Sequence, residues 1–198
     1  MTRIAFPSFS WRRFGPALAL AVMVLLAAPG AGRADVSLFG EDDLYKAAVK
    51  GSVIDLRAQL VRGISANLRS TKGEPVLVAA ARGDHADAIR LLVENGAALE
   101  AADAEGATAL IRAAEMAGID ALRALLAAGA NPNAIDRAGE TALMKATRSG
   151  VVEAVRTLLA SRADATITDF SGRGPLAIAR EVRRPAIADM LKAAGATE

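Results

Sequence analysis

The chain has 198 residues, 53% apolar and 23% charged, which excludes a solvated disordered polymer and leaves room for one ordinary domain. It contains no cysteine, so a disulfide framework, a thiolate metal site and a cysteine nucleophile are excluded. Aromatics make up only 4%, and the alanine-rich apolar fraction calls for a thin core between closely packed helices.

The formal net charge of +2 is unevenly placed. The first 34 residues hold four of the 24 basic residues (Arg3, Arg12, Arg13 and Arg33) and none of the 22 acidic ones. The rest of the chain carries 20 basic against 22 acidic residues, a net charge of −2. With no basic stripe, that balance argues against nucleic-acid binding.

Residues 1–34 read as a secretory signal, with a positive start ending at Arg12-Arg13, an apolar run from Ala17 to Ala28, and a small-residue exit at Gly32-Arg33-Ala34. The apolar run is shorter than the roughly 20 residues of a membrane span. Cleavage between Ala34 and Asp35 is therefore expected, with no stable membrane insertion afterwards. Phe14 follows the arginine pair directly, which favours the general export route over the twin-arginine one, and no cysteine is available to carry a lipid. The expected location is the periplasm, with residues 35–198 as the mature domain.

Past the leader the chain repeats itself. Glycine recurs at Gly40, Gly73, Gly106, Gly139 and Gly172, always 33 residues apart, and leucine keeps the same period at Leu44, Leu77, Leu110, Leu143 and Leu176. Ala47, Ala80, Ala113, Ala146 and Ala179 follow three residues after each leucine, on the same helical face. A fixed period of this length marks a solenoid. Each unit reads as a turn, a short helix, a second turn, a longer helix and a closing glycine. The closing column is Gly63, Gly96, Gly129 and Gly195, with Arg162 as its one departure. Five units result, at about 40–72, 73–105, 106–138, 139–171 and 172–198. Thr108 and Thr141 stand where a hydroxyl caps the first helix. Asp103, Asp136 and Asp169 suit the tight hairpin between units.

Gly106-Ala107-Thr108-Ala109-Leu110 and Gly139-Glu140-Thr141-Ala142-Leu143 resemble the opening of the ankyrin repeat. Leu91-Leu92-Val93-Glu94-Asn95-Gly96-Ala97 and Leu125-Leu126-Ala127-Ala128-Gly129-Ala130 resemble its second-helix ending, and Asn131-Pro132-Asn133 its exit loop. The resemblance covers everything after the leader and implies an all-α solenoid of five helix-turn-helix repeats. The family's histidine after the leucine is absent, replaced by Tyr45, Val78, Ile111, Met144 and Ala177, so its hydrogen bond is expected to be lost. Leu38 and Phe39 are candidates to close the amino-terminal end. The helix-to-helix turn glycines Gly51, Gly83, Gly118 and Gly150 wander by one position, and Arg183-Arg184-Pro185 takes that place in the last unit.

Chemistry is scarce. His85 is the only histidine, so any Ser-His-Asp relay depends on it, and no Gly-x-Ser-x-Gly elbow accompanies it. Glu41-Asp42-Asp43 lacks the spaced ligands and glycine of a calcium loop and reads as an acidic run at a helix start. No catalytic residue, metal or cofactor is expected. An enzyme or a small-ligand binder is disfavoured, because a solenoid of this length offers a groove and not an enclosed pocket.

The resemblance implies a protein partner held on a concave face of hairpin tips and inner helices. Carried onto this chain, the family's usual contact positions are Arg69, Lys72 and Glu74 at the first tip, and Glu105, Arg137 and Glu140 further along. Phe170 and Arg173 stand on the last tip. The inner helices contribute Arg82, Glu115, Met116, Arg148 and Glu181. Phe170 stands out as a lone large aromatic, expected to bury nothing locally and to form part of the binding spot with Arg137 and Arg173. The expected protein is a monomeric interaction module. Similar exported proteins also suggest an inhibitor of a secreted enzyme or an accessory factor in peroxide defence.

Overall fold

The computed structural model describes residues 41–196; the expected leader (1–34), Leu38, Phe39 and Gly40 lie outside them. The described residues form ten helices. They are α1 (Glu41–Lys50), α2 (Val53–Val61), α3 (Val76–Arg82), α4 (Ala86–Glu94), α5 (Ala109–Glu115), α6 (Ile119–Ala127), α7 (Ala142–Ser149), α8 (Val152–Ala160), α9 (Pro175–Glu181) and α10 (Pro185–Ala193). Odd helices pack on odd and even on even, α1 on α3, α3 on α5 and so on, so the repeats stack as two rows. Within each repeat the two helices also pack on each other.

The leucine and alanine columns build the seam between the rows. Leu44, Leu77, Leu110, Leu143 and Leu176 are at most 2% exposed, and the alanines three residues on are at most 3% exposed. Each buried leucine contributes about 1.5–3 kcal/mol, and the alanines let the backbones approach closely. Thr108 and Thr141 cap α5 and α7 as expected, their hydroxyls accepting from Ile111 and Met144 N–H at 3.4 Å. The family's histidine positions Val78, Ile111 and Met144 are fully buried. At the first junction a bond returns by another route, the Tyr45 hydroxyl donating to the Glu74 carboxylate of the next repeat.

Other side chains staple the repeats from the loop side. Asn67 donates to the Gly96 carbonyl at 2.9 Å and accepts from Ala98 N–H at 2.8 Å. Glu100 accepts from Asn131 N–H, and Asn133 from Asp164 N–H, each at 2.8 Å. The acceptors Asn67, Glu100 and Asn133 keep the 33-residue spacing, so one column performs the same task at three junctions.

The helix-to-helix turn corrects the expectation that glycine marks it. The left-handed residues are Gly51, Asp84, Ala117, Gly150 and Arg183, which hold the 33-residue period without drift. Gly83 and Gly118, at φ −88° and −76°, are glycines for lack of space. A Cβ on Gly83 would meet the His85 ring at 2.4 Å, and one on Gly118 would meet the Asp84 carboxylate at 2.9 Å. Asp84 thereby reaches the next repeat and accepts from Ala121 N–H at 2.7 Å, capping α6, whose own N-cap Gly118 has no side chain. His85 is structural too, its Nε2–H donating to the Val49 carbonyl at 3.1 Å.

The closing glycines are left-handed throughout, and Arg162 adopts the same backbone at φ 65°. A non-glycine residue pays about 1–2 kcal/mol there, partly offset by glycine's greater unfolded-state freedom. Arg162→Gly is expected to stabilise the fold by about 0.5 kcal/mol in urea unfolding followed by far-ultraviolet circular dichroism; a destabilised variant would contradict this reading.

Candidate functional site

Each hairpin tip is built around one side chain. Asp103 accepts from Glu105 and Ala107 N–H at 3.0 and 2.9 Å, Asp136 from Ala138 and Glu140 N–H at 2.9 Å, and Asp169 from Ser171 and Arg173 N–H at 2.8 and 2.9 Å. In the first tip Ser70 takes this place, accepting from Glu74 N–H at 3.2 Å. The turn closes on Gly73, Gly106, Gly139 and Gly172, at φ between 77° and 81°.

The tips are joined in a row. Arg137 N–H donates to the Glu105 carbonyl at 3.0 Å and Phe170 N–H to the Ala138 carbonyl at 3.1 Å. Arg69 bridges the Gly73 and Ala102 carbonyls at 2.7 and 2.8 Å. Arg137 and Phe170 occupy the same place in successive repeats, and each lies over the glycine of the tip before it. A Cβ on Gly106 would stand 3.0 Å from the Arg137 side chain, and one on Gly139 would stand 2.8 Å from the Phe170 ring. The ring is therefore seated, contrary to the expectation that it buries nothing, yet Phe170 remains 74% exposed. Arg137 is exposed and makes no ion pair among the described residues.

Ion pairs tie the tips to the inner helices. Arg112 spans Asp103 at 2.7 Å, Glu105 at 3.0 Å and Glu115 at 2.7 Å. Lys145 bonds Asp136 at 3.0 Å and also Glu140, which receives Arg148 as well. Arg82 meets Glu74 at 3.0 Å, and Arg173 holds Asp169 at 2.9 Å and Glu181 at 3.8 Å. Burial pushes the Asp103 carboxyl up, but hydrogen bonds from Arg112 and the Ala107 and Glu105 backbone outweigh it and leave it below the usual range. The Arg148 hydrogen bond holds the Glu140 carboxyl down against burial, with Lys145 adding to it. Burial and the Glu74 carboxylate together push the Tyr45 hydroxyl up to about 12.

Most of the expected contact residues thus have partners within the molecule. Glu74 with Arg82, Glu140 with Arg148, Arg173 with Glu181, and Glu105 with Glu115 through Arg112 are paired on the face itself. Glu140 departs furthest from an exposed contact position, being only 6% exposed. Lys72 and Met116 are exposed, on the first tip and at the end of α5. Sequence reasoning missed Arg112 and Lys145, which stand nine residues after Asp103 and Asp136; that repeated Asp-to-cation spacing was the available signal. It also missed Ile135, half exposed beside the third tip.

Among the described residues no group of three or more His, Asp or Glu is placed to hold a metal ion, and no helix is long and apolar enough to cross a membrane. No curated protein matches the chain. A family model described as ankyrin repeats, in three copies, matches residues 44–136 and 119–197. Such repeats generally mediate protein–protein interaction. The two matches span most of the sequence and the two-row helical stack agrees with them, so the chain belongs to the ankyrin repeat family.

Proposed function

We propose that the chain is an exported, non-enzymatic and monomeric protein-binding module, working in the periplasm after loss of residues 1–34. Its contact surface is the face of hairpin tips and inner helices, centred on Arg137 and Phe170. The observation that carries this reading is the seating of those two side chains. Both are held by backbone hydrogen bonds and by a glycine beneath, so they lose little freedom on binding, while the aromatic ring stays largely in water. A large exposed ring that is already ordered is an efficient interface anchor. The paired charges around it supply a polar rim that needs no partner for its own neutralisation.

The test uses the exported protein, whose first residue by amino-terminal sequencing is expected to be Asp35. A photo-crosslinker placed at Phe170 is expected to capture one stoichiometric partner, and the same group at Arg90 on outer helix α4 is not. Phe170→Ala is expected to weaken that partner's binding by about 2 kcal/mol, roughly thirtyfold, with little change in melting temperature. Capture from Arg90 alone, or normal binding by a destabilised Phe170→Ala protein, would sink the proposal. A secreted lipase as the captured partner would assign the inhibitor form of this reading, and a catalase the peroxide-defence form.

A further inference from the structure

At four places on its helices and the turn between them, the last repeat carries a cation where the four before it do not. Where it has Arg180 the earlier repeats have Ala48, Ala81, Ala114 and Thr147, all buried. Where it has Lys192 they have Leu60, Val93, Leu126 and Leu159, packed against the core. Arg183 and Arg184 likewise replace residues none of which is a lysine or arginine. A repeat face that no neighbouring repeat covers requires polar residues. Polarity alone does not explain why all four are cations in a chain whose residues 35–198 carry a net charge of −2.

These cations share one groove of about 500 Å³ between α9 and α10, whose lining among the described residues includes one carboxylate, Asp189, 3.6 Å from Lys192. Arg183 and Arg184 make no ion pair among the described residues. Both are fixed. Arg183 holds the left-handed turn backbone at φ 55°, which glycine fills without strain in two other repeats. Arg184 lies over Gly150, where a Cβ would come within 2.5 Å of its Nε. The first turn of α10 lines the same groove with Pro185 and Ala188. Guanidinium forks match the oxygens of a phosphate two at a time.

We propose that this groove is a phosphate-binding site, distinct from the tip surface, that takes a phosphate or pyrophosphate group, free or borne by an anionic phospholipid. Its test is binding of pyrophosphate by calorimetry, alongside co-sedimentation with vesicles of equal parts phosphatidylglycerol and phosphatidylcholine. Arg183→Gly with Arg184→Ala serves as the control, since glycine suits the backbone at position 183 and unchanged circular dichroism verifies the fold. At least one ligand is expected to bind, and the double variant to lose about tenfold or more in affinity, two charge-assisted contacts being removed. Pyrophosphate without vesicles identifies a free phosphate, and vesicles without pyrophosphate a lipid surface. The proposal is overturned if neither binds, if the double variant binds as well as the parent, or if a glutamate oligomer of equal charge binds as tightly as pyrophosphate.

Discussion

Glu140→Gln is expected to lower stability by about 2 kcal/mol at neutral pH, the scale of losing charged hydrogen bonds at a buried site. Its melting temperature should fall by roughly 4–8 °C. Glu140 is only 6% exposed and receives both Lys145 and Arg148, so the amide leaves those cations facing a neutral group. Lys145 retains Asp136 at 3.0 Å, which keeps the loss below that of a fully orphaned charge. The effect has a pH signature. The Glu140 carboxyl sits below its ordinary value, held there first by the Arg148 hydrogen bond, so its contribution is fully present above about pH 4.3 and disappears as the pH falls through the folded value. Urea unfolding followed by far-ultraviolet circular dichroism should therefore show a gap between parent and variant at pH 7 that closes in acid. A gap unchanged down to pH 3 would show that the carboxylate's charge is not what the site uses. Fluorescence is no substitute, since the only tryptophan, Trp11, lies in the segment proposed to be lost on export.

Two glycines with nearly the same backbone should respond very differently to alanine. Gly129 at φ 91° and Gly139 at φ 79° both stand in the left-handed region, so each substitution carries about 1–2 kcal/mol of strain. Around Gly129 nothing lies within 4 Å of a new Cβ, whereas at Gly139 the Cβ would stand 2.9 Å from the Phe170 backbone nitrogen. That neighbour is main chain, already bonded to the Ala138 carbonyl, and cannot swing aside. Gly139→Ala is expected to cost about 3 kcal/mol in total, strain plus overpacking, against about 1 kcal/mol for Gly129→Ala. It should also displace Phe170 and weaken partner binding, which Gly129→Ala should leave alone. Equal costs in urea unfolding would mean that the ring and its backbone move more freely than the contacts allow.

Much of the stack was legible because its period is strict and its core uses one residue type per column. Leu110 and Leu143, Thr108 and Thr141, and Asp103 and Asp136 behave as their positions imply. The turn between helices was not legible from glycine. Its left-handed place is filled by Asp84, Ala117 and Arg183, while Gly83 and Gly118 mark where the His85 ring and Asp84 carboxylate require room. A glycine in a sequence does not declare which of those two duties it serves. The surface was harder still. Periodicity places Glu74, Glu140 and Arg173 in one column but does not tell that the column is folded inward onto Arg82, Arg148 and Glu181. Arg112 and Lys145 meet their carboxylates across a turn, a relation that rotamers fix and that the sequence marks only by the repeated nine-residue spacing from Asp103 and Asp136.

The staples between repeats have a bearing on how such a gene can change. The longest side-chain hydrogen bond among the described residues, Asp84 to Ala121, spans 37 positions, so every junction is written in little more than one repeat of sequence. Duplication or loss of a 33-codon unit inside the array would recreate junctions of the same kind on both sides of the event. A copy of the last repeat does not share that freedom, for in the interior it would bring Arg180 to a place the stack keeps buried and Lys192 to one it packs against its core. Lineages of this protein are therefore expected to vary in repeat number from the middle, with the cationic final repeat carried along intact.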